Sequence, residues 1–152
     1  MDNLIRNSNR SMFNSWNGFS VDYWEVGKMK FLHKKKSKIH GFGIFTTKEI
    51  RKGAVFYKVP MDQVYDKPKP RFAHIGKNKY VKDTKILNWV NHSCNANTIL
   101  DLTGKQPKLV AKRNIKAGEE ITCNYNLTEK GGNKVKCTCK KEKCKKYFLR
   151  RE

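Results

Sequence analysis

Long apolar runs are missing from this sequence of 152 residues. No stretch approaches the roughly 18 consecutive apolar residues that a membrane-spanning helix needs, so we expect no membrane association. The start of the chain also lacks a basic segment followed by an apolar one, and it does not read as a secretory signal. We therefore expect an intracellular protein, in which thiols stay reduced and clustered cysteines favour a metal over disulfides.

Acidic residues are scarce: 13 Asp and Glu stand against 34 Lys and Arg, which gives a net charge of +21. A charge of this size attracts polyanions and acidic partners, so nucleic acid is one candidate partner. The lysines are spread along much of the chain, and a generally lysine-rich surface accounts for the charge equally well. With 38% hydrophobic and 31% charged residues, we expect a small core under a charged surface.

The composition divides the chain into three regions. Residues 1–27 are rich in Asn and Ser but contain five aromatic residues, which predicts an arm that packs on the domain. Residues 28–129 alternate short apolar stretches with Gly, Pro and Lys, as a domain of many short strands does. Residues 130–152 hold ten Lys or Arg and two Glu, so hydrophobic burial alone cannot fold them.

The local patterns predict a mainly β protein with little helix. Five segments read as strands, namely Lys30–His33, Gly43–Thr46, Ala54–Val59, Lys108–Ala111 and Glu120–Cys123. Helical spacing is convincing only in Asp83–Val90, where it places Ile86, Trp89 and Val90 on one face.

The C-terminal region carries Cys137, Cys139 and Cys144 within eight positions among many lysines. Nearby positive charge favours the thiolate, which is the form that binds metals. A structural zinc ion takes four ligands, and the tail supplies three. The fourth ligand would come from elsewhere, with Cys94 and Cys123 as the candidates.

Three further segments carry chemistry. HGFGIF at 40–45 contains a G-x-G, which lets the backbone approach a ligand closely. NHSCNAN at 91–97 is dense in polar side chains, and GEEITCNY at 118–125 places a tyrosine after a short strand. In this order, and followed by CTCKKEKCKKYFL at 137–149, the segments resemble the motifs of SET-domain lysine methyltransferases with a post-SET zinc segment.

The resemblance implies a fold and an activity. The family has a β-clip type of fold with several small sheets, and two C-terminal segments form a pseudoknot. Its members transfer a methyl group from S-adenosyl-L-methionine to the side-chain amine of a protein lysine, and histones are their best-known targets. The implied divisions are a SET domain at 28–129 and a post-SET tail at 130–152. We expect a monomer that acts in the nucleus or on chromatin if the host is a eukaryote.

The resemblance also implies site residues. The cofactor would be held by His40, Gly41, Phe42, Gly43, Asn91 and His92. Tyr125 would be the active-site tyrosine, and Cys123 would lie at the end of the substrate-lysine channel. One structural zinc ion would be bound by Cys94, Cys137, Cys139 and Cys144.

Several positions depart from the family pattern. Val59 stands where many members have a second active-site tyrosine, for which Tyr57 or Tyr65 would have to substitute. Ala96 replaces a proline, Asn88 an arginine and Cys123 an aromatic residue. Together with the charge of +21, Val59 favours an alternative function, a basic chromatin- or nucleic-acid-binding module on a catalytically weak SET scaffold. The acidic residues expected to line a groove for a basic peptide include Asp62, Asp66, Asp83 and Asp101.

Overall fold

The computed structural model describes residues 30–150, and the predicted arm at 1–27 lies outside the described residues. The strands are β1 Leu32–Lys36, β2 Phe42–Thr46, β3 Val55–Lys58, β4 Val64–Tyr65, β5 Ala73–His74, β6 Tyr80–Val81, β7 Asn91–His92, β8 Thr98–Asp101, β9 Lys108–Ala111, β10 Glu120–Cys123, β11 Asn133–Lys136 and β12 Tyr147–Arg150. Two 3₁₀ helices, Leu87–Trp89 and Tyr125–Leu127, complete the described elements. No helix between residues 30 and 150 is long and apolar enough to cross a membrane.

The strands form four small sheets, which confirms the mainly β prediction. Their orders are β1-β2-β10-β7, β3-β9-β8, β4-β6-β5 and β11-β12. Apolar side chains from the first two sheets meet in one core, where Ile44 of β2 pairs with Ile121 of β10 and both are fully buried. Leu109 of β9 is equally inaccessible to solvent. The core therefore fixes β10 between β2 and the segment that follows residue 90.

Strand β1 was predicted two residues too early. It pairs with β2 from Leu32 opposite Thr46 to Lys36 opposite Phe42. Leu32 is buried, whereas the other four residues are exposed on both faces of the strand. Backbone pairing alone extends the strand through three lysines, so no apolar alternation marks its end in the sequence.

The helix predicted at Asp83–Val90 is wrong in extent, since only Leu87–Trp89 is helical and only as one 3₁₀ turn. The buried carboxylate of Asp83 accepts hydrogen bonds from the backbone N–H groups of Lys85, Ile86 and Leu87. Local side-chain bonds of this kind compete with a regular helix.

A parallel pair of strands brings two distant motifs together. In β7 and β10, Asn91 lies opposite Thr122 and His92 opposite Cys123. Asn97 strengthens the junction, because its side-chain nitrogen donates to the carbonyl oxygen of Glu120 at 2.7 Å. NHSCNAN and GEEITCNY thus meet at one edge of the four-stranded sheet.

Candidate active site

The turn between β1 and β2 needs its two glycines for different reasons. Gly41 has a φ of +46°, a left-handed conformation that most side chains disfavour. Gly43 lies against the carboxylate of Glu120, and a Cβ there would come within 2.1 Å of Oε1. Any side chain at position 43 would therefore have to displace the Glu120 carboxylate from its present position.

The side chain of Asn91 ties this turn to β10. Its Nδ2 lies 3.1 Å from the carbonyl oxygen of His40, 3.0 Å from that of Phe42 and 2.8 Å from Oε1 of Glu120. Ser37 Oγ donates to the same carboxylate at 2.8 Å. Sequence reasoning missed Glu120 and Ser37 as site residues, although Glu120 lies within GEEITCNY and Ser37 lies three residues before HGFGIF.

A cavity of about 280 Å³ opens where the turn, β7 and the end of β10 meet. Of the predicted site residues, His40, Gly41, Phe42, Asn91, His92, Cys123 and Tyr125 line it. Gly43 does not line it, because it lies at the contact with Glu120. The cysteine cluster lies outside the cavity, but the tail residues Val135, Thr138 and Phe148 form part of the cavity wall.

Tyr125 begins the 3₁₀ helix after β10 and packs against the core. Its hydroxyl donates a hydrogen bond to the carbonyl oxygen of Val90. Burial raises the pKa of the phenol, and the nearby acidic groups of Cys123, when ionised, and Glu129 raise it further. The group therefore stays protonated at neutral pH and acts as a hydrogen-bond donor.

His92 is 3% exposed, and burial lowers its pKa to about 4. Its ring stacks on Phe148 of β12 with 4.4 Å between the centroids and 13° between the planes. The edge of Tyr125 approaches both rings, with its centroid 5.5 Å from His92 and 5.6 Å from Phe148. The post-SET strand thus completes an aromatic cluster around the tyrosine.

Cys123 is separate from the other cysteines. Its sulfur lies 3.0 Å from Thr98 Oγ1 in the core, and it faces the cavity. Burial raises the pKa of this thiol to about 11, so it is neutral at physiological pH. It presents a small apolar surface next to Tyr125.

The remaining four cysteines form one cluster, in which the Sγ atoms of Cys94, Cys137, Cys139 and Cys144 all lie within 4.8 Å of one another. Cys94 Sγ is 3.7 Å from Cys137 Sγ and 4.0 Å from Cys144 Sγ. Tetrahedral coordination with zinc–sulfur bonds of about 2.3 Å places the sulfur atoms about 3.8 Å apart. The cluster therefore has the dimensions of a four-thiolate zinc site.

The electrostatics of the cluster favour the thiolate at Cys139, whereas burial raises the pKa of the Cys94 and Cys137 thiols. Burial opposes ionisation of Cys139, but hydrogen bonds from the backbone of Cys94 and Lys141 outweigh it and lower the pKa to about 6. The backbone N–H groups of Lys145 and Lys146 point at the sulfurs of Cys94 and Cys144, at 3.4 and 3.3 Å. Such donors stabilise negative charge on sulfur, the form that a metal requires.

Between residues 30 and 150, neither Tyr57 nor Tyr65 takes the place of the second tyrosine at the cavity. Val59 is completely buried, and its backbone N–H bonds to the carbonyl oxygen of Pro107. The hydroxyl of Tyr57 donates to Asp83 at 2.5 Å in the core, and Tyr65 stacks near Phe72. Neither tyrosine lines the cavity.

The acidic residue at the cavity is one that sequence reasoning missed. Among the described lining residues, Glu129 is the only carboxylate, and its Oε1 accepts from the backbone N–H of His74 at 3.0 Å. The groove-lining prediction is wrong for Asp83, which is 3% exposed and holds Tyr57. Asp66 and Asp101 form ion pairs with Lys79 and Lys108. No motif marks Glu129, and the contact that fixes its carboxylate is with His74, 55 positions away in the sequence.

Comparison with known proteins identifies the family. A family model described as "SET domain" matches residues 41–126, more than half of the chain. This chain belongs to the SET domain family. The matched segment begins at the glycine turn and ends just after Tyr125, so it contains the whole sheet junction described above.

Relatives of this SET domain carry related names. The Mycosarcoma maydis protein "Histone-lysine N-methyltransferase, H3 lysine-36 specific" is 36% identical over 80 residues, which cover 48% of this chain and 8% of the relative. The Debaryomyces hansenii protein of the same name is 25% identical over 135 residues, which cover 74% of this chain and 18% of the relative. "Histone-lysine N-methyltransferase set1" of Dictyostelium discoideum is 29% identical over an alignment of 168 residues, which covers 94% of this chain and 11% of the relative. The chain thus spans only a small part of the length of these relatives.

Proposed function

We propose that this protein transfers methyl groups from S-adenosyl-L-methionine to the side-chain amine of lysine in a protein substrate, with histone H3 as the first candidate. The observation that carries the proposal is the cavity that joins the glycine turn, the Asn91–His92 strand and Tyr125. The names of the H3-specific relatives support the choice of substrate. Action on histones would place the protein at chromatin.

The cavity fits a cofactor that is recognised through backbone groups. Gly41 contributes no side chain to the wall, and the side-chain nitrogen of Asn91 is already engaged in holding the turn. His92 likewise uses both ring nitrogens within the protein. The proposed contacts from residues 40–42, 91 and 92 are therefore mainly backbone contacts, and Gly43 contributes by leaving room for the Glu120 carboxylate.

S-adenosyl-L-methionine supplies an electrophilic methyl carbon on a sulfonium, and the lysine amine must be neutral to attack it. Lysine has a reference pKa of about 10.4, so desolvation has to favour the neutral amine. Cys123, Leu100 and Ala73 provide apolar wall in the cavity. Tyr125 and the nearby carbonyl of Val90 would orient the amine, and most of the rate would come from positioning.

The four-cysteine cluster would hold one structural zinc ion. A site closed by four protein ligands leaves no position for substrate, so the metal would act by folding the tail. The tail in turn supplies Val135, Thr138 and Phe148 to the cavity wall. We therefore assign the zinc ion to the assembly of the site, with Cys94, Cys137, Cys139 and Cys144 as ligands.

A methylation assay tests the proposed activity directly. Purified full-length protein would be incubated with methyl-labelled cofactor and either histone H3 or an array of lysine peptides. Label in the substrate that is lost in Tyr125→Phe, with mass spectrometry locating it on lysine, supports the proposal. Cofactor binding without transfer to any peptide or to H3 would contradict it.

A second function, nucleic-acid binding, is favoured by one continuous basic surface. The first part is β1 and the following turn, where Lys35, Lys36 and Lys38 are exposed. The second part is the tail, with exposed lysines at 134, 136, 140, 141, 143, 145 and 146. Thr138 Oγ1 donates to the carbonyl oxygen of Ile39 at 2.8 Å, so the two parts adjoin. Phosphates could be bound here beside the proposed active site.

Salt dependence tests this second function. Affinity for double-stranded DNA should fall linearly with the logarithm of salt concentration, with a slope of about 0.9 for each phosphate neutralised. Replacing Lys35, Lys36 and Lys38 by Gln should reduce the slope by about 2 to 3. The matched control replaces Lys52, Lys105 and Lys116, which are also exposed. Equal losses in both triple variants would argue for charge in general and against this surface.

A further inference from the structure

The imidazole of His92 forms one hydrogen bond at each nitrogen, and the two bonds lead to different parts of the site. Nδ1 lies 3.1 Å from the backbone nitrogen of Tyr125, which donates to it. Nε2 lies 3.4 Å from Sγ of Cys94, a member of the four-cysteine cluster. The ring therefore lies between the proposed metal ligands and Tyr125 at the cavity.

The direction of both bonds follows from the first one. A backbone N–H can only donate, so Nδ1 accepts and carries no proton. In the neutral ring the proton is then on Nε2 and points at the sulfur of Cys94. The arrangement suits a deprotonated sulfur, because a thiolate accepts this hydrogen bond and a metal ligand is a thiolate.

The tail also contacts the face of the His92 ring. Phe148 stacks on His92 and also meets the edge of Tyr125. Phe148 follows the last cysteine by four residues, and the neighbouring backbone N–H of Leu149 donates to Asn126 Oδ1 at 2.8 Å. The position of Tyr125 thus depends on contacts that the cysteine cluster holds in place.

We propose that the His92 side chain is a positioning residue that couples the cysteine cluster to Tyr125, so that binding of the metal sets the geometry of the methyl-transfer site. The proposal rests on the proposed function for its catalytic consequence. It adds that removal of the metal displaces Tyr125, and so stops methyl transfer, while the core sheets stay folded.

Two substitutions of His92 each keep one of its two hydrogen bonds and remove the other. In His92→Asn, the side-chain oxygen replaces Nδ1 as acceptor for Tyr125, but nothing reaches Cys94. In His92→Gln, the terminal amide replaces the donor to Cys94, but nothing accepts from Tyr125. We expect metal affinity to fall about 10- to 100-fold in the Asn variant, as for other lost outer-shell hydrogen bonds, and less than about threefold in the Gln variant. At saturating metal, kcat should fall about tenfold further in Gln than in Asn.

A readout that needs no methyl transfer tests the coupling itself. With ¹⁵N-labelled tyrosine, the six tyrosine amides give a simple spectrum, in which chelation of the metal should shift the Tyr125 resonance and speed its hydrogen exchange. The shift should be much smaller in His92→Gln, because the bond to Tyr125 is already lost. His33→Asn and His33→Gln, at an exposed position of β1, are the matched controls.

The outcomes distinguish failure of this inference from failure of the proposed function. If chelation changes neither the Tyr125 amide resonance nor its hydrogen exchange in the wild type, the coupling is wrong, whether or not the protein methylates lysine. Equal metal affinities in the Asn and Gln variants do so as well. A coupled amide in a protein without transferase activity would leave the inference standing and remove the proposed function.

Discussion

The core sheets and the C-terminal tail are stabilised by different physical means. In the core, Ile44, Leu109, Ile115 and Ile121 have no exposed surface at all. Between Lys130 and Arg150, by contrast, Cys139 is the only buried residue. The core is therefore held by apolar burial, whereas the tail needs bonds to its cysteines. The two regions should fail independently, and the site that they share should fail with either.

The largest effect is expected from a cavity in the core. Ile121→Ala removes three carbons from a fully buried position opposite Ile44 and should cost about 3 kcal/mol or more of unfolding free energy. Denaturant titration followed by circular dichroism measures the loss. Ile99→Ala, at a position that is 43% exposed, is the control and should cost less than about 1 kcal/mol. Equal costs would contradict the burial account of the core.

Loss of a metal ligand should unfold the tail and leave the core sheets folded. Cys94→Ser and Cys139→Ser should release zinc about equally, because a four-ligand site tolerates no vacancy. Limited proteolysis should then cut between residues 130 and 150, while the circular dichroism of the sheets persists. Cys123→Ser is the matched control, since its sulfur lies apart from the cluster. If metal analysis finds full zinc in the Cys94 variant and none in the Cys123 variant, the assignment of the fourth ligand is wrong.

Tyr125→Phe tests the residue at which both regions meet. The variant loses the hydrogen bond to the carbonyl of Val90, which should cost about 1 kcal/mol of stability. Loss of the orienting hydroxyl should lower kcat by on the order of 100-fold, with little change in cofactor affinity. Steady-state kinetics of this variant measure the loss in kcat. Tyr147→Phe, at an exposed tyrosine of β12, is the control. Wild-type turnover would remove Tyr125 from the mechanism.

The family resemblance pointed to residues that the fold brings together. Seven of the residues that it implied line one cavity, and the spacing of the three tail cysteines pointed to a metal site, because metal ligation demands particular residue types. Alternation of apolar residues located β9 and β10, whose buried faces dominate. It failed for β1, where the backbone ladder continues through exposed lysines.

What the sequence could not show depends on long-range contacts. Glu120 and Ser37 form a hydrogen bond although they lie 83 positions apart in the sequence. The Glu129 carboxylate likewise accepts a hydrogen bond from the backbone N–H of His74, 55 positions away. The predicted helix failed because the carboxylate of Asp83 captured its first backbone N–H groups. Neither a pairing of that range nor a side chain that competes with a helix leaves a periodic signal in the sequence.

The smallest effect is expected at Cys123, where the core strand β10 ends against the cavity. In the family, a tyrosine at this position crowds the amine and limits the number of methyl groups added, whereas a phenylalanine leaves more room. The thiol is small, neutral and packed on Thr98, so a methylated amine has room to turn for another transfer. We therefore expect wild-type protein to form di- or trimethyl-lysine.

Cys123→Tyr should shift the products toward monomethyl-lysine without abolishing transfer, provided that the ring extends into the cavity of about 280 Å³ and does not overpack the core. Mass spectrometry of a substrate peptide under excess cofactor measures the product ratio, and denaturant titration shows whether the core tolerates the ring. Cys123→Ser keeps the small size and should keep the higher methylation states. A wild type that stops at monomethyl-lysine, even at long times, would mean that another residue fills the space beside Tyr125.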